Sequence, residues 1–191
     1  MFPLPWPPIR QGGGEQIGGT VHCATFDALP DDEAVALLQT CCSSPAWAHR
    51  VAAARPYGNR DALLRAAADL ALTLSDAELA DALSGHPRIG ERSDSAASQR
   101  EQASVATSTA EVRAALAAGN RAYEEKFGHV YLVRAAGRSA GELLGILNRR
   151  LGHDAETERG EVRAALADIN RLRLELLIDG AAGAEGTGGN E

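Results

Sequence analysis

One polar stretch in the middle of the chain, residues 84–102, carries side chains that could do acid–base chemistry. Its sequence is SGHPRIGERSDSAASQREQ, and it contains one histidine, His86, with Glu101 and Gln102 at its end. An imidazole titrates near neutral pH, so it can both take a proton from a substrate and give one back. A carboxylate can orient a substrate hydroxyl, and an amide offers both a donor and an acceptor. The combination predicts a general acid–base site on a loop.

The local sequence also gives these residues a structural interpretation. Pro87 disfavours helical backbone at His86, and Gly85 suits the end of the preceding helix, so His86 is expected to leave a helix end at a defined angle. Ser98 and Glu101 have the spacing of a capping box, which would simply start the next helix. A lone histidine at a helix end is also more often structural than catalytic. The functional interpretation therefore depends on the combination of the histidine, the carboxylate and the amide in one short segment.

The segments on either side of this stretch are rich in Ala and Leu and predict helices. Eight helix starts are recognised by proline, capping residues or acidic first turns. They lie at Pro30, Ser44-Pro45, Asn59, Ser75, Ser98, Asn120, Arg138-Ser139 and Asp154. We expect the helix from Ser98 to run to about Ala118 and to break at Gly119-Asn120. The strand-like run 129–133 is isolated, so it is predicted to be an extended connector whose backbone groups need other partners, a ligand among them.

Length and composition predict one compact all-α domain of about eight helices. The predicted organisation is a flexible leader over residues 1–24, a helical domain over 25–179 and a disordered tail over 180–191, because both ends are rich in Gly or Pro. The net charge of −7 argues against a nucleic-acid partner. The sequence shows no apolar run long enough to cross a membrane and no secretory signal, so we expect no membrane association. The three cysteines, Cys23, Cys41 and Cys42, are expected to be reduced thiols, which predicts a cytoplasmic location.

Several motifs occur in an order that is specific as a set. They are GHPRIGER (85–92) with SxxEQ (98–102), CCxSxAWA (41–48), RPY (55–57), NxxYExKFG (120–128), GRSA (137–140) and RLRL (171–174). In these motifs the chain resembles 2-oxo-4-hydroxy-4-carboxy-5-ureidoimidazoline (OHCU) decarboxylase, a ureide-pathway enzyme of urate breakdown. The resemblance extends from about Phe26 to Leu177.

The resemblance implies an activity and a set of site residues. It implies decarboxylation of the small molecule OHCU to (S)-allantoin and CO2 by a homodimer, with His86 as catalytic acid–base and Glu101 orienting or polarising the substrate. The implied substrate-binding residues are Pro87, Ser98, Gln102, the connector residues His129, Val130, Tyr131, Leu132 and Val133, and, for an anionic group, Arg173 and Arg138. Arg138 could instead be a surface charge at a helix start, and Arg173 could pair with Glu142 or Glu175.

The residues present favour a decarboxylase without a cofactor or a metal. A Schiff-base route needs a lysine, and the only one, Lys126, lies in a Tyr-Glu-Glu-Lys helical run typical of a solvated charge. The histidines show no pairing at i, i+4, and Cys41-Cys42 lacks metal-ligand spacing. General acid–base catalysis by His86 remains.

Two alternatives stay open. The chain could be a lyase or hydrolase acting on a related ureide, because changed polar contacts in a pocket would shift the substrate while the motifs stayed. It could also be a non-catalytic helical partner of another ureide-pathway enzyme. Turnover by the isolated protein would discriminate between these hypotheses.

Overall fold

The computed structural model describes residues 20–91 and 95–179, and the prediction of an all-α fold is confirmed within them. Ten helices occur in these ranges instead of the eight expected. They are α1 (Cys23–Ala28), α2 (Asp31–Gln39), α3 (Pro45–Ala53), α4 (Arg60–Leu72), α5 (Asp76–Ser84), α6 (Ala96–Glu101), α7 (Ala103–Ala106), α8 (Ala110–Phe127), α9 (Ala140–Arg150) and α10 (Ala155–Leu177). No helix among the described residues is both long and apolar enough to cross a bilayer.

A short parallel strand pair joins the two ends of the described chain. Strand β1 (Val21–His22) pairs with β2 (Ile178–Asp179), with Val21 opposite Ile178. The first described elements thus begin inside the segment predicted as leader. The rest of that leader, residues 1–19, and the predicted tail, residues 180–191, lie outside the described residues.

Most predicted helix starts are confirmed by capping side chains. Ser44 and Asn59 cap α3 and α4, and their side chains accept from the backbone N–H groups of Trp47 and Ala62. Ser75 and Ser139 each form a complete capping box, with a glutamate three residues later returning a bond to the cap residue. These local signals fix where α3, α4, α5 and α9 begin.

The predicted capping box at Ser98 is wrong. The cap of α6 is Ser95, whose hydroxyl accepts from the Ser98 N–H at 3.3 Å, and Ser98 lies buried inside the helix. Both serines can cap, but the Ser98 N–H is bonded to Ser95, and Glu101, which would complete the box at Ser98, is instead paired with a distant arginine, Arg173. Since α6 ends at Glu101, the long helix expected from Ser98 to about Ala118 is replaced by α6, α7 and the first half of α8.

The predicted break at Gly119-Asn120 is also wrong, because α8 runs through both residues. A Cβ atom at Gly119 would lie 2.6 Å from Leu147 Cδ2, so glycine here permits close packing of α8 on α9. The Asn120 amide donates to the Ile89 carbonyl at 2.8 Å and does not compete with the helix backbone. Tertiary contacts therefore explain why the helix continues through two residues that locally favour a break.

The core consists of two apolar clusters separated by the connector 129–133. The first is built largely on α1–α5 and α10, and the second lies chiefly between α8 and α9. Leu132 packs into the first cluster, whereas Tyr131 and Val133 pack into the second. This alternation is the period of extended backbone, and no strand is assigned there among the described residues, as predicted.

Candidate active site

His86 lies just beyond the end of α5, in a place fixed by its neighbours. Gly85 is the C-cap of α5 as expected, and a Cβ atom there would lie 1.8 Å from Ser43 Oγ, so the helix end can pass close to the 41–44 turn only with glycine. The His86 N–H donates to the Leu83 carbonyl at 3.0 Å. The imidazole is buried, with its Nδ1 2.9 Å from the Ala82 carbonyl oxygen.

The environment of the His86 ring holds it neutral with one free acceptor. A carbonyl oxygen can only accept, so Nδ1 carries the proton and Nε2 has a lone pair. Nε2 is buried and makes no hydrogen bond with the described residues. Burial and the Arg173 charge lower the pKa of His86, and they outweigh the Ala82 carbonyl and Glu101, which act to raise it. The ring can therefore act as a base at Nε2.

His86 lines a small cavity of about 20 Å³. The structure brings nine of the predicted site residues to its wall: His86, Pro87, Ser98, Glu101, Gln102, Tyr131, Leu132, Val133 and Arg173. Three others, Ile89, Ala135 and Ile169, also line it and were missed by the sequence analysis. Ile169 could have been found, because it lies one helical turn before Arg173 on α10 and so shares its face.

A partly buried ion pair forms one side of the cavity. Arg173 Nε and Nη2 donate to the two carboxylate oxygens of Glu101 at 2.8 and 2.9 Å, and the two side chains are only 11% and 15% exposed. Arg173 Nη1 donates to the Cys41 carbonyl at 2.9 Å. Arg173 is therefore paired with Glu101, and its predicted alternative partners, Glu142 and Glu175, are wrong.

Two further polar residues at the cavity are oriented by the protein itself. The Ser98 hydroxyl accepts from Arg173 Nη2 at 3.5 Å. Gln102 Oε1 accepts from the Gly90 N–H at 2.8 Å, which anchors the turn after His86. Since Gly90 uses the amide oxygen of Gln102, this side chain can offer the cavity its amide N–H groups as donors.

The connector presents unpaired peptide groups beside the cavity. Leu132 O accepts from Arg150 Nη1 at 2.6 Å, whereas the peptide groups of Tyr131 and Val133 form no hydrogen bond with another described residue. Arg150 is itself held by buried Glu158, with Nε and Oε1 2.8 Å apart. A buried ionic network thus fixes one edge of the connector and leaves peptide groups available for a ligand, as expected from the sequence.

Three predicted site residues are not at the cavity wall. The His129 ring is edge-on to Tyr123 and stacks on Phe127, and its Nδ1 lies 3.1 Å from the Val130 carbonyl oxygen. Val130 packs against the first apolar cluster. Arg138 donates to the Arg134 carbonyl, and the Arg138 carbonyl accepts from Ser104 Oγ at 2.6 Å just before the α9 cap.

Comparisons with known proteins agree with the motifs. A relative from Arabidopsis thaliana, the "Uric acid degradation bifunctional protein TTL", is 28% identical over 152 residues, which cover 75% of this chain and 47% of the relative. The chain thus spans about half the length of that curated relative.

Two solved structures share the fold. An OHCU decarboxylase structure determined in the presence of (S)-allantoin superposes with a TM-score of 0.65 at 24% identity, covering 76% of this chain and 96% of that one. An (S)-allantoin synthase superposes with a TM-score of 0.61 at 17% identity, covering 81% of this chain and 53% of that one. The family model for OHCU decarboxylase matches residues 27–175. The chain therefore belongs to the OHCU decarboxylase family, a family of carboxy-lyases, as its sequence motifs predicted.

Proposed function

We propose that this protein converts OHCU to (S)-allantoin and CO2 without a cofactor, with His86 as the general acid–base. Family membership supports the reaction class. The observation that carries the role of His86 is its buried Nε2, which has no partner among the described residues while Nδ1 is fixed by Ala82. Such a nitrogen can accept a proton from a bound substrate and return it from one defined direction.

The proposed reaction needs little more than orientation and one proton carrier. Cleavage of the bond between the ring and the carboxylate releases CO2 and leaves its electron pair on the ring. Neutral His86 takes the proton of the substrate hydroxyl, which becomes a carbonyl, and the imidazolium gives a proton to one face of the ring. One further proton from solvent neutralises the negative charge that stays on the ring when neutral CO2 leaves. Delivery from a fixed ring would make the product a single enantiomer.

The cavity walls supply the remaining contacts in this proposal. Glu101, held by Arg173, polarises the hydroxyl or ureido group, and the Gln102 amide and the free peptide groups of the connector bind the ring. The cavity of about 20 Å³ holds roughly one water molecule, so its walls must separate to admit the substrate. Because Arg173 is paired with Glu101, no unpaired cation is left for the substrate carboxylate among the described residues that line the cavity.

A coupled circular-dichroism assay tests the proposal. Urate oxidase and hydroxyisourate hydrolase would generate OHCU, and the allantoin signal would be followed with the wild type, His86→Asn and the control His49→Asn, which changes an exposed histidine. We expect a fast signal of one sign from the wild type and the control, and slow formation of racemic product with His86→Asn. Full activity of His86→Asn would contradict the mechanism. A flat signal from folded wild type would contradict the function and favour another ureide substrate or a non-catalytic role.

We also propose that the protein is a cytoplasmic homodimer. The dimer rests on the family likeness, and sedimentation at several concentrations would test it. The location is supported by the three cysteines, which are free and buried, as in a reducing compartment. Fractionation of the source cells would contradict it if the protein were found outside the cytoplasm.

A further inference from the structure

A second and larger cavity adjoins the first and shares Ile89 with it. This groove has a volume of about 240 Å³ and lies between the turn 88–91 and α8. Its lining consists of Arg88, Ile89, Gly90, Glu91, Arg113, Ala117, Asn120 and Arg121. No role for the groove follows from the acid–base site just described.

The α8 side of the groove is a cationic wall with room in front of it. Arg113, Ala117 and Arg121 are four residues apart, so they share one face of the helix, and the small alanine keeps the space between the arginines open. Neither Arg113 nor Arg121 forms an ion pair with a described carboxylate, and Arg113 makes one bond, to the Ala106 carbonyl at 3.2 Å. Both guanidinium groups are exposed and therefore available to an anion.

The opposite side of the groove is a turn whose charges are already matched. Arg88 Nη2 donates to Glu124 Oε2 at 2.8 Å, and Arg88 Nη1 donates to Glu91 Oε1 at 3.1 Å. Asn120 holds the Ile89 carbonyl, so the turn is anchored to α8. Among the described residues, three arginines and one glutamate, Glu91, line the groove. Glu124 and Glu111 act on Arg88 and Arg113 from outside this lining, so the lining itself keeps a positive excess.

The positive charge of the groove contrasts with the charge of the neighbouring catalytic cavity. There, Arg173 neutralises Glu101, and the lowered pKa of His86 keeps its ring neutral near pH 7. The whole chain carries a net charge of −7. A carboxylate substrate is thus repelled by the protein as a whole, and the described residues of the cavity where it would react carry no net positive charge to attract it. The groove is a locally positive surface that shares a wall residue with that cavity.

We propose that the groove binds small carboxylates through Arg113 and Arg121 and thereby concentrates the anionic substrate beside the catalytic cavity. The steering role rests on the function proposed above, whereas carboxylate binding in the groove does not. A concave patch of one charge raises the capture rate of an opposite charge, and salt weakens this effect within a Debye length.

Steady-state kinetics at increasing ionic strength test the steering role. Arg113→Gln with Arg121→Gln removes two charges from the groove, and Arg65→Gln with Arg159→Gln is a control of equal charge outside its lining. We expect the groove variant to lose about tenfold in kcat/KM at low ionic strength with unchanged kcat, and to approach the wild type in high salt. Behaviour equal to that of the control variant, or a loss of kcat that persists in high salt, would overturn the proposal.

A binding measurement separates this proposal from the proposed reaction. Malonate would be titrated into the protein at low ionic strength, and backbone amide shifts would be recorded by NMR. We expect saturable shifts in residues 88–91 and 113–121 of the wild type and the control, and their loss in the groove variant. Shifts confined to the cavity residues 131–133, or equal shifts in the groove and control variants, would refute binding of malonate in the groove. If malonate binds as expected but OHCU is not consumed, only the proposed reaction fails.

Discussion

His86 combines a fixed tautomer, which follows from where α5 ends, with a lowered pKa, which the rest of the fold imposes. Ala82 lies one turn earlier on the same helix, so its carbonyl is in reach of Nδ1 as soon as Gly85 and Pro87 release the chain. The sequence predicts this placement from local rules alone. It does not predict the direction of the pKa shift, because burial and Arg173, which lower it, come from distant parts of the fold.

The lowered pKa of His86 predicts an acid limb in the pH profile. The base form is required, so kcat/KM should be constant near neutrality and fall only below the ordinary histidine pKa of about 6.5. Initial rates in buffers of constant ionic strength would measure it. A limb centred at or above that value would mean that the cavity does not hold the ring neutral.

The same shift makes folding depend on pH. Because the unfolded chain binds the His86 proton at a higher pH than the folded chain, the free energy of unfolding should decrease as pH falls below about 6.5 and continue to decrease down to the folded pKa. Urea unfolding at several pH values, with His86→Asn as the comparison, would show a shallower decrease in the variant. The same pH dependence of the free energy of unfolding in both proteins would show that protonation of His86 is not coupled to folding.

The pair of Glu101 and Arg173 was predicted as two separate site residues and is found as one unit. Glu101→Gln keeps the shape but leaves a partly buried guanidinium without its counter-charge, which should cost about 1–3 kcal/mol of stability and lower kcat. Glu101→Gln with Arg173→Met should lose less than the sum of the single changes. Chemical denaturation would measure the stability of each variant, and the allantoin assay would measure its kcat. Strict additivity would show that the two side chains act independently.

At the scale of elements, capping explains what could be predicted and what could not. Ser44, Asn59, Ser75 and Ser139 begin helices by contacts within one turn, so their helices were placed correctly from the sequence. The segment around Ser98 has a second candidate cap at Ser95, and the glutamate that would complete the box at Ser98, Glu101, is paired with Arg173, 72 residues away. Local rules cannot weigh such a contact, and for this reason α6, α7 and the unbroken α8 were missed.

The connector is the element on which the cavity depends most, and a buried ion pair holds it. Arg150 and Glu158 are each about 1% exposed, and Arg150 links Glu158 and the Tyr123 hydroxyl to Leu132 O. Arg150→Met should lower the free energy of unfolding by about 3–5 kcal/mol, because it removes the guanidinium paired with buried Glu158 and leaves the carboxylate only the His153 ring, 3.0 Å away, and the Tyr123 hydroxyl. Arg150→Met with Glu158→Gln should be less destabilised.

Urea denaturation would compare the two variants, and the allantoin assay would show whether the connector still works as a wall. We expect the double variant to recover stability but not activity, since neither variant can hold the Leu132 carbonyl. Recovery of both would mean that the connector needs no anchor. A single variant as stable as the wild type would contradict the burial of the pair.

At the scale of the whole molecule, the two ends of the described chain close the fold on itself. Ile178 is fully buried in the first cluster, Val21 packs against that cluster, and Arg60 Nη2 donates to the Glu175 carbonyl at 2.6 Å near the end of α10. The sequence predicts a domain start at residue 25, because a two-residue strand leaves no periodic pattern. The pairing partner lies more than 150 residues away, so no local signal could reveal it.

This closure predicts different effects from two nearly equal truncations. Removal of residues 1–20 keeps β1, and the free energy of unfolding should stay unchanged. Removal of residues 1–22 deletes β1, and we expect a loss of about 1–3 kcal/mol, because ladder hydrogen bonds and the apolar contact of Val21 disappear together. Urea unfolding of the full chain and both truncations would measure the difference. Equal stability of all three would show that β1 contributes nothing, whereas a loss already present in the shorter truncation would place a stabilising contact before Val21. The difference between the two truncations therefore isolates the contribution of β1 to holding α1 and α10 together.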